Sequence, residues 1–92
     1  MFPVRYFTEN AVPAGFRIVK RFAGAHIILH MNGLGMTAVH RKYGEERARN
    51  ELDSMAREKD ANAILRYRLR VFYVPGMVFV IASGKLAKIE QS

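Results

Sequence analysis

The chain contains no cysteine and no tryptophan, has only three prolines, and carries eight acidic side chains against fifteen lysines and arginines. The lack of cysteine excludes disulfides, thiolate metal ligands and cysteine nucleophiles together, so the fold must rest on packing alone. A small chain without cystine suits a reducing compartment, and the expected location is cytoplasmic. No window reaches the ~18 apolar residues of a membrane helix. The opening MFPVRYFTENAVPAG lacks both the charged start and the long apolar stretch of a signal peptide, so neither a membrane partner nor export is expected. Catalytic residue types are also scarce. There are three serines and two threonines, none beside a histidine in a known nucleophilic arrangement, and most of the carboxylates fall on one helical stretch. The expectation is a protein that is not an enzyme, unless a site is assembled across subunits.

The shortage of acid leaves a formal charge of +7 and a pI near 10.3 over 92 residues. That charge attracts nucleic acid or another anionic surface over a Debye length. Half the residues are hydrophobic, which suits one globular domain over residues 1–92, with an N-terminal arm at 1–15 and a body at 16–92. Pro3, Pro13 and Gly15 punctuate the arm, which is placed to add an edge strand or cover a neighbour. Phe16 to His30, FRIVKRFAGAHIILH, reads as strand, with Ala23-Gly24-Ala25 marking a bulge or bend. A helix follows, firm from about Glu45 to Lys59, where Ala48, Leu52, Met55 and Ala56 form one apolar stripe. Glu45 with Arg49 and Asp53 with Arg57 are the acid-to-base pairs expected on its outer side. An earlier start near Thr37 would place Gly44 inside the helix at a cost of about 1 kcal/mol. Ala61 to Val74, the turn Pro75-Gly76 and Met77 to Ile89 read as a β-hairpin. The fold class is therefore α+β: a two-layer β(β)αββ subunit with an antiparallel sheet and one helix packed across it. The return arm MVFVIASGKLA is apolar on both faces, so its second face is expected to be covered by another copy of the chain.

Three features carry possible chemistry. GLGMTA at 33–38 matches G-x-G-x-x-A, but the dinucleotide fold needs a doubly wound parallel sheet and a later acidic residue that this chain does not supply, so the stretch reads as a turn. His26, His30 and His40 suggest a metal ion. On a strand, positions i and i+4 are ~13 Å apart, whereas zinc holds imidazole nitrogens at ~2.1 Å, so only equivalent histidines from several subunits could form a site. Finally, ILRYRLRVFYV at 64–74 puts arginines at every second position. Ile64, Arg66, Arg68, Arg70, Phe72 and Val74 are expected on one face, joined by Arg17 and Arg21 from another strand, while Tyr67 and Tyr73 point away. This row is a candidate anion-binding surface for nucleic acid or another polyanion, a solvated face, or a subunit rim.

Over roughly residues 51–89, ELDSMAREKDANAI and ASGKLAKI resemble the YbjQ-like family of small proteins described as heavy-metal-binding. Asp60 stands where that family has a helix-closing glycine, and Lys85 and Leu86 replace its usual Thr-Ala. The resemblance implies a two-layer α+β subunit, a ring-shaped homo-oligomer, with a pentamer expected, and a cytoplasmic bacterial protein. No metal ligand carries across by motif. The function expected is a non-enzymatic oligomeric module that binds a metal ion or small ligand; the alternative is a basic oligomer that binds nucleic acid or a polyanion.

Overall fold

The computed structural model describes residues 3–32 and 38–92. Its elements are β1 (Arg5–Tyr6), β2 (Phe16–Asn32), α1 (Ala38–Glu58), β3 (Ala63–Val74) and β4 (Met77–Gln91). The strands form one sheet in the order β1-β3-β4-β2, with α1 packed across one face. The expected α+β layout is present, with one refinement: the sheet is mixed. β2, β3 and β4 are antiparallel neighbours, whereas the arm supplies β1 as a parallel edge strand on β3. The Arg5 and Phe7 amides donate to the Asn62 and Ile64 carbonyls at 3.0 and 2.9 Å.

α1 takes the earlier start and includes Gly44. A side chain there would press on the sheet: a Cβ on Gly44 would lie 2.3 Å from Met31 Sδ. Ala48, Leu52 and Ala56 are fully buried, so small residues let the helix approach closely. The helix closes with the Ala61 amide donating to the Ala56 carbonyl at 2.8 Å and the Asp60 amide to Arg57 at 3.1 Å. Asp60 takes the left-handed conformation (φ 61°), which costs a non-glycine residue about 1 kcal/mol, so the cap survives without its glycine. Lys88 Nζ donates to Asp60 Oδ2 at 2.6 Å and holds that carboxyl below its usual range. Of the two outer pairs expected, Asp53 with Arg57 forms (2.6 Å), but Glu45 pairs with Arg41 (3.2 Å) because Arg49 lies over the Tyr6 ring instead.

Register decides which residues share a face. Val78, Val80, Ala82 and Leu86 of β4 point towards the helix, with Ala25, Ile27, Leu29 and Met31 of β2 beside them. Along β3 the pairing slips by one residue between Leu65 and Arg68, and Arg66 has φ 51°. This bulge inverts the simple alternation. Ile64 joins the helix-side core with Leu86, while Leu65 turns to the opposite face, so the expected grouping of Ile64 with the arginines is corrected. The switch needs a glycine opposite it, since a Cβ on Gly84 would lie 2.2 Å from Ile64 Cγ2.

The second face has two halves. Residues 7–15 must travel from the β3 edge of the sheet to the start of β2 at the other edge, and α1 already occupies one face. The Phe7 and Glu9 carbonyls still accept from the β3 edge, so six extended residues, ~20 Å, remain for three strand spacings of ~4.8 Å, which is ample. The segment therefore crosses the second face. Backbone bonds hold its start to the β3 edge (Tyr67 amide to Phe7 carbonyl, 2.9 Å; Arg66 amide to Glu9 carbonyl, 3.0 Å), and Arg21 Nη1 of β2, which the register puts on the second face, donates to Asn10 Oδ1 (3.4 Å). Ala63, Leu65, Ala87 and Ile89, which the register places on this face, are all buried. One half of the surface expected to need a second copy is thus covered by the chain itself. The half towards the Pro75-Gly76 turn stays open, with Ile28, Phe72, Val74 and Met77 between 39% and 49% exposed.

Candidate functional site

The open half is built by cross-strand register. Reading from β3 through β4 to β2, the rows are Arg68, Ser83, His26; Arg70, Ile81, Ile28; Phe72, Phe79, His30; and Val74, Met77, Asn32. Arg68, Ser83 and His26 of the first row and Arg70 of the second, with Arg66 at the bulge and Lys85, line an open groove of about 480 Å³. Gly24 and Gly84 belong to its floor. Gly24 pairs across to Lys85 and puts no side chain into the groove.

Electrostatically the groove is one-sided. Three arginines and a lysine line it together with His26 and Ser83, and no carboxylate does. Arg66, Arg70 and Lys85 have no side-chain hydrogen bond or ion pair among the described residues, and Arg68 is held by the Thr8 and Tyr67 carbonyls, which leave its charge uncompensated. Unpaired cations converging on a floor of small residues suit an anion that accepts several hydrogen bonds, and arginine offers a planar fork for phosphate or carboxylate.

Not all of the residues singled out from sequence meet here. Arg66, Arg68 and Arg70 do. Arg17 does not, because its guanidinium donates to Glu90 Oε1 (2.7 Å through Nε) near the opposite end of the sheet. Arg21 shares the face but reaches Asn10 of the crossing segment. His26 lies in the groove, and His30 sits two rows further on, in edge contact with Phe79 (centroids 4.7 Å, 73°). His40 falls on α1, and its side chain lies outside the described residues, as does most of the GLGMTA stretch. No group of three or more His, Asp or Glu close enough to hold a metal ion occurs among the described residues. Sequence reasoning places neither Phe79 nor Ser83 and Lys85 in the site: Ser83-Gly84-Lys85 resembles the tail of a phosphate loop but lacks its first glycine. Phe79 was countable, because a two-residue turn at Pro75-Gly76 sets Val74 opposite Met77 and hence Phe72 opposite Phe79. The approach of β2 was not, because its pairing with β4 depends on two register shifts.

A second cluster of ionisable groups is structural. The Tyr6 hydroxyl donates to Asp53 Oδ1 at 2.9 Å, Arg57 Nε donates to Asp53 Oδ2 at 2.6 Å, and Tyr67 meets the Tyr6 ring edge-on at 5.0 Å. Burial first, and then the bond to Asp53, push the Tyr6 phenol up to about 12. Burial also raises Tyr67. Neither phenol ionises near neutrality, so this cluster pins β1 to α1 and has no proton to exchange there.

Compared with known proteins, the fold is similar to the crystal structure of a protein of unknown function from Pediococcus pentosaceus assigned to the DUF74 family, which is the YbjQ-like family. The TM-score is 0.66 at 16% identity, over 95% of this chain and 98% of that one. No family model matches the sequence, and no curated protein does. Among the described residues, no helix is long and apolar enough to cross a membrane.

Proposed function

We propose that the chain is a YbjQ-like, non-enzymatic binding module of the cytoplasm whose ligand is an anion held in the groove between His26 and Arg66, Arg68, Arg70 and Lys85. Support for the family comes from the shared architecture over nearly the whole length of both chains, together with the 51–64 and 82–89 segments. The observation that carries the ligand class is the groove's lining: four full positive charges and no acid. The same lining disfavours a metal cation, which like charges would repel and which lacks carboxylate partners there. Polyphosphate binding measured by calorimetry tests the reading. Affinity should fall log-linearly with salt, and Arg68→Gln with Arg70→Gln should weaken binding and flatten that slope. A salt-independent affinity, or one unmoved by the double substitution, rejects the groove as the site.

A second reading, assembly of several copies into a ring, is favoured by a different observation. The outer edge of β2, and the edge of β3 beyond Tyr67, have no strand partner among the described residues. Unpaired edges of this length are templates for another chain. Light scattering on the purified protein separates a monomer from a pentamer directly.

A further inference from the structure

We propose that the open face binds single-stranded nucleic acid, stacking bases on a row of three rings, Phe72, Phe79 and His30, while Arg68 and Arg70 hold the phosphates. This rests on the anion-binding reading of the groove and names the ligand.

By sequence alternation Tyr67 and Tyr73 point away from the arginines, and only Phe72 shares their strand and their parity. The register brings the others in from neighbouring strands, with Phe79 opposite Phe72 and His30 opposite Phe79, all on the face that the arginines occupy. The row spans two strand spacings, ~9.6 Å, and the Arg70 row lies one side-chain repeat away along the strand, ~6.8 Å. Phe72 is 47% exposed, and the rings of Phe79 and His30 brace each other. Basic side chains interleaved with exposed rings on a sheet are what a splayed single strand requires: charge for its backbone and flat apolar surface for its bases.

Two competing occupants fit less well. A duplex keeps its bases stacked inside and would leave the ring row facing its backbone. A second copy facing it across a two-fold axis would bring two sets of arginines and lysines into one interface with no carboxylate in either groove lining to offset them. Ser83, the arginines and the histidines are the only polar groups in the first three rows, so little is available to read base edges and sequence preference should be weak.

The test compares three labelled probes of equal length by fluorescence anisotropy at fixed salt: oligothymidylate, an abasic sugar-phosphate strand, and a duplex. Oligothymidylate should bind at least tenfold tighter than either of the others. Phe72→Ala should cost oligothymidylate about 5- to 150-fold, the range for one lost stack, and leave the abasic strand unchanged, while Phe72→Tyr restores affinity. Phe72 is half exposed, so the variant should keep the parent's circular dichroism and stay folded at the assay temperature, with a melting temperature lowered by only a few degrees. Equal affinity for thymidylate and abasic strands, insensitive to Phe72→Ala, overturns this inference and leaves the anion site standing. Failure of every probe, polyphosphate included, removes both. An assembly that shields Phe72 from solvent and binds no strand also overturns it.

Discussion

The two halves of the second sheet face are continuous in the backbone and opposite in fate. Towards the chain ends, Ala63, Leu65, Ala87 and Ile89 lie buried where residues 7–15 cross the sheet. Towards the hairpin turn, Ile28, Phe72, Val74 and Met77 stand at the surface beside a row of arginines. Apolar composition is similar in both halves, so hydrophobicity alone does not separate core from candidate site. What separates them is the reach of the crossing segment, which leaves the sheet edge near Arg66 and ends at Phe16. The bulge at Arg66 marks the boundary: on one side of it Leu65 is sealed, and on the other the arginines begin.

The largest expected effect tests that boundary directly. Leu65→Ala should destabilise the protein by about 2–5 kcal/mol, whereas Phe72→Ala, seven positions along the same strand but half exposed, should cost only about 1 kcal/mol. Urea unfolding of both variants measures the difference, and equal losses would mean that the open half is covered after all.

The glycines sharpen the contrast at the next level. Gly84→Ala would drive a Cβ into Ile64 at the bulge, where a carbonyl 3.1 Å away blocks retreat, so about 1–3 kcal/mol should be lost. Gly44→Ala meets the flexible end of Met31, and the gain in helix propensity, about 1 kcal/mol, should roughly cancel the displacement. Thermal melts of the two variants should therefore diverge, with only the first falling clearly.

The smallest effect concerns the root of the arm. Tyr6→Phe removes the bond to Asp53 and should cost about 1 kcal/mol near neutral pH. The folded phenol titrates above the unfolded one, about 12 against 10.0, so its contribution is fully present below pH 10 and is lost as pH rises towards 12. Melting temperatures across that window should converge for parent and variant. A gap that stays constant would show that the hydroxyl, although half-buried and bonded, contributes nothing through its proton.

Much of this layout was legible in the residues. The Ala48, Leu52, Ala56 stripe gave the helix its buried side, Pro75-Gly76 gave the hairpin, and the two prolines and one glycine of the first fifteen residues marked an arm. Local periodicity carries such features because each depends on neighbours within a turn or a strand repeat. The faces of β3 were misread at Ile64 for the same reason: alternation is a local rule, and a left-handed residue at Arg66 interrupts it without a glycine to announce it. Arg17 and Arg21 were grouped with the other arginines on charge and strand pattern, but Glu90 and Asn10, far along or across the chain, hold them elsewhere.

By itself, then, the sequence determined the elements, their order, the basic balance and the presence of apolar surface that one helix could not hide. Tertiary structure alone decided that the arm hides half of that surface, that Arg66, Arg68, Arg70 and Lys85 share a groove with His26, and that Phe79 and His30 line up with Phe72. The physical reason is that a side chain's face follows from its own strand, whereas its company across the sheet follows from register, and register is set by bulges and long-range pairing that no short window of residues contains.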